Sequence, residues 1–393
     1  MLHSENTKKM IGDIFLDIAN GIESGQFGEK TRIGLTTLGS EHGVENLIKG
    51  AEIASKKHPD MKVVLIGPKA DTTLETIIAK TEEEMYEKME ELLDNKYLNS
   101  CVTMHYNFPI GVSTVGKVIT PGLGKEMFIA TTTGTTSVNR VESMIKNAVN
   151  GIIAAKSTGI ENPTIGILNV DGAKQVEIAL KKLKSKGYEV NFGESLRADG
   201  GCIMRGNDLL TGSVDVMVTD TLTGNILMKM FSSFTTGGSY ESSGYGYGPG
   251  IGENFHRNIL ILSRASGVPV VTNALEYGMK VSNGNISKII KDEYEKSNKA
   301  GLKEIIKEIT KEENPAKKQN IQKPEKEVVT AQISGIDIMD LEDAVKVLWK
   351  EKIYAESGMG CTGPIVLVSD NKFNEAICVL QNRNYIVSDK KGC

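Results

Sequence analysis

The 393-residue sequence lacks several features that would point to a particular class of protein. No apolar run approaches the ~18 residues needed to cross a bilayer, and the polar N-terminus has no apolar core of the kind found in a signal peptide. The net charge of −4 is opposite in sign to that of a general nucleic-acid binder. These absences predict a cytoplasmic protein with neither a membrane nor a nucleic acid as partner.

Cysteine is also scarce, and the spaced motifs of common cofactor sites are missing. The five cysteines are widely separated and odd in number, which does not fit a disulfide framework and predicts reduced thiols. No C-x-x-C or H-E-x-x-H occurs, so no metal is predicted. There is no P-loop, and the glycines at 244–252 do not satisfy G-x-G-x-x-G, so no cofactor is predicted.

What the sequence does contain is an alternation of short apolar runs with helical patterns. Such an alternation predicts an α/β fold, with a mostly parallel, doubly wound sheet covered by helices on both faces. The interpreted strands are "RIGLTTLG", "KVVLIGP", "EMFIATTTG", "TIGILNV", "VDVMVTD" and "VPVVTNA". The segment "TTLETIIAKTEEEMYEKMEELL" is interpreted as one long acidic helix. An amphipathic helix is predicted at the N-terminus from the spacing of Ile11, Ile14, Phe15, Ile18 and Ile22.

A change of composition divides the chain into three parts. Residues 309–330 are rich in Lys, Glu, Gln and Pro and are predicted to be a linker. Residues 1–308 then form the α/β domain, in one piece or as two lobes around a cleft. Residues 331–393 form a small C-terminal module of order α–β–α–β, with Asp340 predicted to cap its first helix. The stretch "GMGCTGP" in this module is interpreted as a loop that exposes Cys361 among backbone N–H groups.

Three segments have the composition of an anion-binding turn. One is "LGSEHGVEN", whose His42 is more simply interpreted as a hydrogen-bonded structural residue. "TTTGTTSVNR" and "TDTLTGNILMKM" each place hydroxyls and a glycine between a strand and a helix, where free N–H groups and the helix dipole favour phosphate. The alternative is ordinary helix capping with a surface lysine. Arg140, Arg257 or Lys229 would neutralise the phosphate, and the sequence does not choose among them. The candidate phosphate-binding residues are Thr133, Gly134, Thr135, Asp220, Thr223, Gly224, Asn225 and Lys229.

The stretch 235–257, "TTGGSYESSGYGYGPGIGENFHR", is unusual because its glycines alternate strictly from 244 to 252. One interpretation is a flexible surface loop. The tyrosines, together with His256 and Arg257, favour instead a segment that orders over a ligand or a partner.

The chain resembles the phosphate acyltransferases of phospholipid synthesis over roughly residues 30–300. The resemblance is strongest at 159–234, where GIENP, "NDLLTG" and "DTLTGN" match that family's GIENP, G-R-D-L-L-x-G and D-G-F-x-G-N in order. Thr221 stands where the family has glycine, and "GGCIMRGNDLL" carries Cys202 and an extra residue. The resemblance implies a phosphotransacetylase-like α/β architecture and acyl-phosphate chemistry. "LGSEHGVENLIKGA" is similar to the family's N-terminal turn, which implies that His42 lies at the cleft.

The YGYGPGIGE stretch and the GMGCTGP tail look like those of the alpha subunits of component C of glycine/sarcosine/betaine reductase complexes. That resemblance implies partners: a beta subunit of component C, a carboxymethylated selenoprotein and inorganic phosphate, in an oligomeric assembly. It also implies an acyl-cysteine intermediate. The carboxymethyl group is reduced within the complex to an acetyl thioester, which phosphate cleaves to acetyl phosphate.

For the acyl-bearing sulfur we favour Cys361, because of its glycine-rich surroundings. Cys101 is second: if its segment is extended, His105 shares its face and could assist, although a strand cysteine facing the core is the simpler interpretation. Cys202 is third, and Cys378 and the terminal Cys393 are discounted.

Two other functions stay open. One is a phosphate acyltransferase that uses an acyl carrier protein or coenzyme A thioester without a covalent cysteine, and the other is a non-catalytic scaffold subunit.

Overall fold

The computed structural model describes most of the chain from residue 30 onward and part of the N-terminal segment. The described residues are 11–12, 15–16, 18–19, 21–22, 30–197, 200–310, 323–336, 340–360, 363–383 and 385–386. The N-terminal ones are helical, and Ile11, Phe15, Ile18 and Ile22 are exposed. Ile14 lies outside the described residues.

A twelve-stranded mixed sheet forms the centre of the fold. Its strands are β1 (Thr31–Thr36), β2 (Met61–Gly67), β3 (Glu75–Ile78), β4 (Ser100–Thr103), β5 (Val112–Ile119), β6 (Glu126–Thr135), β7 (Thr164–Leu168), β8 (Asn191–Phe192), β9 (Ile203–Met204), β10 (Val216–Val218), β11 (Gly248–Ile251) and β12 (Ile259–Ile261). Their spatial order is β3-β2-β1-β4-β12-β11-β5-β6-β10-β7-β8, with β9 also paired to β7.

The sheet consists of two parallel blocks joined by an antiparallel pair of strands. In the first block, β3, β2, β1, β4 and β12 are mutually parallel. In the second block, β6, β10, β7 and β8 are parallel. Strands β11 and β5 lie between the blocks and are antiparallel to each other and to their outer neighbours. The predicted mostly parallel sheet is therefore confirmed, and we call the two blocks the first half and the second half.

Helices cover both faces of this sheet, as expected for a doubly wound fold. They are α1 (Val44–Lys57), α2 (Glu82–Asp94), α3 (Arg140–Ser157), α4 (Ala173–Ser185), α5 (Gly206–Thr211), α6 (Thr221–Ser233), α7 (Val268–Asn283), α8 (Ile286–Lys299), α9 (Leu302–Ile309), α10 (Leu341–Lys350) and α11 (Phe373–Asn382). One continuous core lies under α1, α3, α4, α7, α8 and α9. On the opposite face the core divides into a cluster under α2 and another under α5 and α6.

Two of the predicted elements are wrong in type. "VPVVTNA" begins helix α7, with Pro269 in the first turn, where its missing N–H costs nothing. Its β-branched residues Val270 and Val271 are fully buried, so burial decides here over strand propensity. The predicted long acidic helix is also divided: its first part is the edge strand β3, and Thr81 caps α2 by accepting a hydrogen bond from the Glu84 N–H.

Part of the glycine- and tyrosine-rich stretch, Gly248–Ile251, forms β11 in the middle of the sheet, so this part is not a surface loop. Residues 237–240 before it are exposed. A Cβ on Gly248 would lie 1.8 Å from the Val115 carbonyl oxygen, and one on Gly250 would lie 2.3 Å from the Phe108 ring. Glycine is therefore required for the close approach of β11 to its neighbours.

The C-terminal module has its own small sheet and its own apolar cluster. Strands β13 (Ala331–Ser334), β15 (Gly363–Val368) and β14 (Ala355–Gly360) pair antiparallel in that order, and α10 and α11 cover them. The module therefore contains β13 and β14, which were not predicted, and the start of GMGCTGP belongs to β14. The predicted strand after α11 falls largely outside the described residues. Cys361 lies outside the described residues. No helix in the described part of the chain has the length and apolar character needed to span a bilayer.

Candidate functional site

Three neighbouring strands of the second half deliver helix N-termini to the same edge of the sheet. After β6 the chain enters α3 at Arg140, after β7 it enters α4, and after β10 it enters α6. Because these strands are parallel and adjacent, their carboxyl ends meet at one edge. Asn139 caps α3 and Asp220 caps α6, each by accepting a backbone N–H bond through its side chain. The positive ends of three helix dipoles therefore face this edge.

Arg140 supplies a full positive charge at the same edge. Its guanidinium donates to Asp171 at 3.3 Å and to Asp220 at 3.0 Å, so it joins the loops after β7 and β10. The Arg140 side chain is 45% exposed, so an incoming anion can reach it. Burial raises the pKa of Asp220, but hydrogen bonds from Thr223 and the charge of Arg140 outweigh it, and the net pKa lies below the usual range.

The two predicted anion-binding segments lie side by side. The Asn225 side-chain amide donates to the Thr132 carbonyl at 3.0 Å, and the Thr221 hydroxyl donates to the Gly134 carbonyl at 3.2 Å. Gly224 faces β6 so closely that a Cβ would lie 1.8 Å from the Thr131 carbonyl oxygen. We call this edge the Arg140 site. It comprises Thr133, Gly134, Thr135, Arg140, Asp171, Asp220, Thr223 and Asn225.

One detail of the sequence interpretation is wrong. Thr223, Gly224 and Asn225 do not form a turn before the helix, because they lie within α6, whose first residue is Thr221. The Thr223 hydroxyl donates to Asp220 at 2.7 Å, so it holds the cap while remaining partly exposed at the edge.

His42 and Lys229 are not part of the Arg140 site. They lie at the carboxyl ends of first-half strands. The His42 Nε2 atom lies 3.2 Å from the Ala265 carbonyl oxygen, and the ring packs edge-on to Tyr240. Lys229 lies six residues along α6 from Thr223, or about 9 Å, and its charge acts on Glu241.

Glu241, which the sequence analysis did not single out, is the centre of that second group. It is 4% exposed and accepts hydrogen bonds from Ser266 at 3.1 Å and Tyr247 at 3.4 Å. Burial raises the pKa of Glu241, and the serine and tyrosine hydroxyls oppose this only in part. In the sequence, Glu241 could have been noticed as the only acidic residue in the stretch "SYESSGYGYG". We call this group the Glu241 cluster, which comprises His42, Lys229, Tyr240, Glu241, Tyr247 and Ser266.

The described cysteines of the α/β domain are unsuited to nucleophilic chemistry. Cys101 on β4 is fully buried, and burial raises the pKa of its thiol far above the usual range. His105 is exposed, and its Nε2 atom lies 3.1 Å from the Asn107 side-chain oxygen, so nothing in the geometry joins it to Cys101. Burial, together with the nearby Glu177, raises the pKa of Cys202 to about 12. Cys378 is disulfide-bonded, so the prediction that the thiols are reduced is wrong at this residue. Cys361 and Cys393 lie outside the described residues.

Arg257 is committed to a different part of the molecule. It forms ion pairs with Glu90 at 2.9 Å and Asp94 at 2.8 Å, at the amino end of β12. Of the three cationic candidates, therefore, only Arg140 lies beside the two predicted anion-binding segments. In the described part of the chain, no group of three or more His, Cys, Asp or Glu side chains could hold a metal ion.

The C-terminal module contacts the chain beside this site. Gln175, in the first turn of α4, donates to Asp340 at 3.0 Å, so Asp340 makes this contact and no side-chain cap. Strand β14 follows α10 and runs back along it, since Ser357 donates to Glu342 in the first turn of α10 at 2.7 Å. The far end of β14, at Gly360, thus lies at the same end of the module as Asp340.

These features define a doubly wound α/β protein in which three helix N-termini and Arg140 meet at one strand edge. The chain belongs to the family described as fatty acid synthesis proteins, whose model matches residues 31–367.

Among its relatives is the glycine/sarcosine/betaine reductase complex component C subunit alpha of Peptoclostridium acidaminophilum, 61% identical over 96% of this chain and 99% of that protein. A phosphate acyltransferase of Thermotoga maritima is 26% identical over 50% of this chain and 68% of its own length. A branched-chain phosphotransacylase structure from Enterococcus faecalis covers 64% of this chain and 99% of its own, at 16% identity and a TM-score of 0.45.

Proposed function

We propose that this chain forms an acyl phosphate from a thioester and inorganic phosphate, as the acyl-transferring subunit of a glycine/sarcosine/betaine reductase complex in the cytoplasm. The observation that carries the proposal is the convergence of Arg140 and three helix N-termini at one strand edge. The relative named as a subunit of such a complex, which this chain matches over 99% of its length, supports the assignment.

The chemistry requires phosphate to be held against a thioester carbonyl. A phosphate oxygen attacks the carbonyl carbon to form a C–O bond, the C–S bond then breaks, and the sulfur leaves as a thiolate that later takes a proton. Orientation of the two reactants can contribute ~7–11 kcal/mol, and each donor to the oxyanion about 2.7–4 kcal/mol. In this proposal Arg140, Thr135 and Thr223 hold the phosphate, and N–H groups at the helix starts face the developing charge.

We assign the acyl-bearing sulfur to Cys361. Cys101 and Cys202 are buried with raised pKa values, which argues against either as the nucleophile and supports the tail thiol. Because Cys378 is disulfide-bonded, the proposal requires that Cys361 be reduced when it accepts the acyl group. The end of β14 at Gly360 lies at the same end of the module as Asp340, which is bonded to the first turn of α4.

In this proposal the acetyl group forms on Cys361 from the carboxymethyl group of the selenoprotein, with the help of the beta subunit of component C. The C–Se bond breaks and the selenolate leaves, two electrons and two protons come from a dithiol reductant within the complex, and a C–S bond to Cys361 forms as the carboxyl group loses one oxygen as water.

The test is to trap the acylated chain and locate the adduct. The full-length protein is incubated with a small acetyl thioester in phosphate-free buffer, digested and analysed by mass spectrometry. We expect an acetyl group on the peptide containing Cys361, released as acetyl phosphate when phosphate is added. Cys361→Ser should abolish both signals, while the matched control Cys202→Ser should retain them. An adduct that persists in Cys361→Ser would contradict the assignment of the sulfur.

A second function is favoured by the burial of both described thiols of the α/β domain. It is direct phosphorolysis of an acyl carrier protein or coenzyme A thioester, with no covalent cysteine. Acetyl phosphate formation that survives complete alkylation of the accessible thiols would support it. A chain that makes no acetyl phosphate under any of these conditions, even with its partner subunits, would be a scaffold.

A further inference from the structure

Helix α3, which begins at the Arg140 site, carries a row of buried polar side chains that the proposed function does not use. Ser143, Asn147 and Asn150 are 7, 0 and 0% exposed, and they lie on one face of the helix at intervals of four and three residues. The residues around them on the helix belong to the apolar core. Burying a polar side chain is unfavourable unless its hydrogen bonds are made, so the partners of this row show what it holds together.

Asn147 joins three separate segments of the chain to α3. Its side-chain oxygen accepts hydrogen bonds from the Thr136 hydroxyl at 3.0 Å and from the Ser113 hydroxyl at 3.2 Å. Its side-chain nitrogen donates to the Thr219 carbonyl oxygen at 3.2 Å. A carbonyl oxygen can only accept, so the amide nitrogen must face Thr219 and the amide oxygen must face the two hydroxyls. One side chain therefore holds β5, the segment after β6 and the end of β10.

Two of these three segments continue directly into the Arg140 site. Thr136 follows Thr135, and Thr219 immediately precedes Asp220. Asp220 caps α6 and accepts a hydrogen bond from the Arg140 guanidinium at 3.0 Å. The hydrogen bonds of the buried amide are therefore made next to residues of the site.

The bond to the Thr219 carbonyl lies where the pairing of β10 with β6 ends. The register of the two strands stops at Val218 and Ala130. The Thr219 N–H still donates to the Ala130 carbonyl at 2.7 Å, whereas the Thr219 carbonyl accepts from the Asn147 side chain. Because a carbonyl and the next N–H share one peptide plane, this bond fixes the orientation of the peptide group that enters Asp220.

We propose that Asn147 is a positioning residue for the anion at the Arg140 site. Its amide holds the Thr219 carbonyl, and through it Asp220 and the start of α6, in the orientation in which Arg140 and the helix N-termini reach one anion. This inference rests on the proposed function, because it takes inorganic phosphate as the ligand of this edge.

Asn150, one turn further along α3, provides an internal comparison. It is equally buried, and its side-chain oxygen accepts from the Tyr294 hydroxyl at 2.7 Å. Its side-chain nitrogen donates to the Ser113 hydroxyl and to the Ile251 carbonyl, each at 3.1 Å. These partners belong to α8, β5 and β11. Loss of the Asn150 donor should therefore lower stability without moving the groups that face phosphate.

The test is the affinity of the full-length protein for inorganic phosphate, measured by isothermal titration calorimetry. Asn147→Asp keeps the shape of the side chain but, when ionised, loses the N–H that the Thr219 carbonyl accepts. Under mildly alkaline conditions we expect its dissociation constant for phosphate to rise about tenfold. The matched control Asn150→Asp should lower the thermal stability by a similar amount, while its dissociation constant changes less than about twofold.

The pH dependence of this effect separates positioning from a general loss of structure. The three groups bonded to Asn147 are neutral, whereas the carboxyl of Asn147→Asp titrates, and burial raises its pKa. Once protonated, the carboxyl can again donate to the Thr219 carbonyl and accept from the hydroxyls. The ratio of the variant's dissociation constant to that of the parent should therefore fall towards one as the pH is lowered. A raised ratio that does not vary with pH would overturn the proposal.

Two further variants keep the proposal falsifiable and separate it from the proposed function. If Asn147→Asp does not fold, Thr136→Val removes one hydroxyl bonded to Asn147 at nearly constant volume and should raise the dissociation constant about threefold. If Arg140→Gln weakens phosphate binding but neither Asn147→Asp nor Thr136→Val does, the positioning role is wrong and the site stands. Equal losses of affinity in Asn147→Asp and Asn150→Asp would also overturn the positioning role. If Arg140→Gln leaves phosphate binding unchanged, the site itself is wrong.

Discussion

The two halves of the sheet have similar architecture but use their carboxyl edges differently. In the second half, the edge carries Arg140 with its side chain 45% exposed, and helix N-termini open onto solvent around it. In the first half, the corresponding group centres on Glu241, which is 4% exposed and held by hydroxyl groups. One edge presents a charged side chain to solvent, and the other buries one.

The position of a polar residue on a strand-to-helix loop is therefore not enough to define a site. Glu241 lies near strand ends just as Asp220 does, yet its backbone and side chain fix the loop around Ser266. His42 rests on that same loop through the Ala265 carbonyl. The first-half edge is therefore held together by its own hydrogen bonds, while the second-half edge keeps an exposed cation among helix N-termini.

The largest effect that would test this contrast is expected from Arg140→Gln. Loss of a hydrogen bond to a charged group costs about 1.5–3 kcal/mol, so kcat/KM for phosphate should fall roughly 10- to 100-fold. Acetyl phosphate formation at varied phosphate concentration measures it. Arg257→Gln is the matched control, since Arg257 also pairs with two carboxylates but lies at the amino end of β12. Equal losses in both variants would remove the distinction between the two regions.

An intermediate effect is expected from Gly224→Ala, which tests whether α6 must lie directly against β6. The added methyl group would meet the Thr131 carbonyl oxygen at 1.8 Å and force the helix start away. The free energy of unfolding should fall by about 1–3 kcal/mol, and the KM for phosphate should rise. Chemical denaturation and phosphate kinetics report the two changes.

The control for this variant is Gly206→Ala at the start of α5, where a Cβ meets no atom within 4 Å. It should leave both quantities almost unchanged. If Gly224→Ala behaved like Gly206→Ala, the close contact of α6 with β6 would not matter for phosphate.

The smallest effect is expected from Glu241→Gln, and it concerns pH. Because the folded-state pKa of Glu241 is raised, the native state holds the proton more tightly than the unfolded chain does. The stability that this contributes is present below the unfolded pKa, near 4.3, and is lost as the pH rises through the folded pKa. The glutamine variant cannot ionise. The free energy of unfolding of the variant relative to the parent should therefore increase with rising pH, by about 1 kcal/mol or less.

Thermal denaturation of both proteins between acidic and neutral pH measures this difference. A difference that does not vary with pH would mean that the Glu241 carboxyl is as well solvated as one on the surface. The first-half edge at Glu241 would then not differ from the second-half edge at Arg140 in the burial of its charged group.

The strands that are continuous apolar runs could be predicted from the sequence. A strand buried on both faces is apolar at nearly every position, and this pattern is local. Strands β1, β2, β6, β7 and β10 were of this kind. Strand β11 was missed because its glycines allow the backbone to lie close to neighbouring residues and bring no apolar side chains. A search for apolar periodicity therefore does not detect this strand. The start of α7 was misread because Val270 and Val271 are buried by tertiary contacts, which a local pattern does not contain.

The candidate site could be predicted in part for a similar reason. The Thr/Gly/Asn composition of the two turns is local, and it indicated two segments that the structure places in contact. Which cation stands beside them is set by sheet order. Arg140 and Asp220 are 80 residues apart in sequence and meet only because β6 and β10 are neighbours.

Phosphate binding at the Arg140 site is tested most directly by a crystal structure of the full chain soaked with inorganic phosphate. We expect one phosphate at the Arg140 site, in contact with the guanidinium of Arg140 and with the start of α6 near Thr223. Phosphate bound instead between His42 and Lys229 at the Glu241 cluster, with the Arg140 site unoccupied, would contradict the assignment.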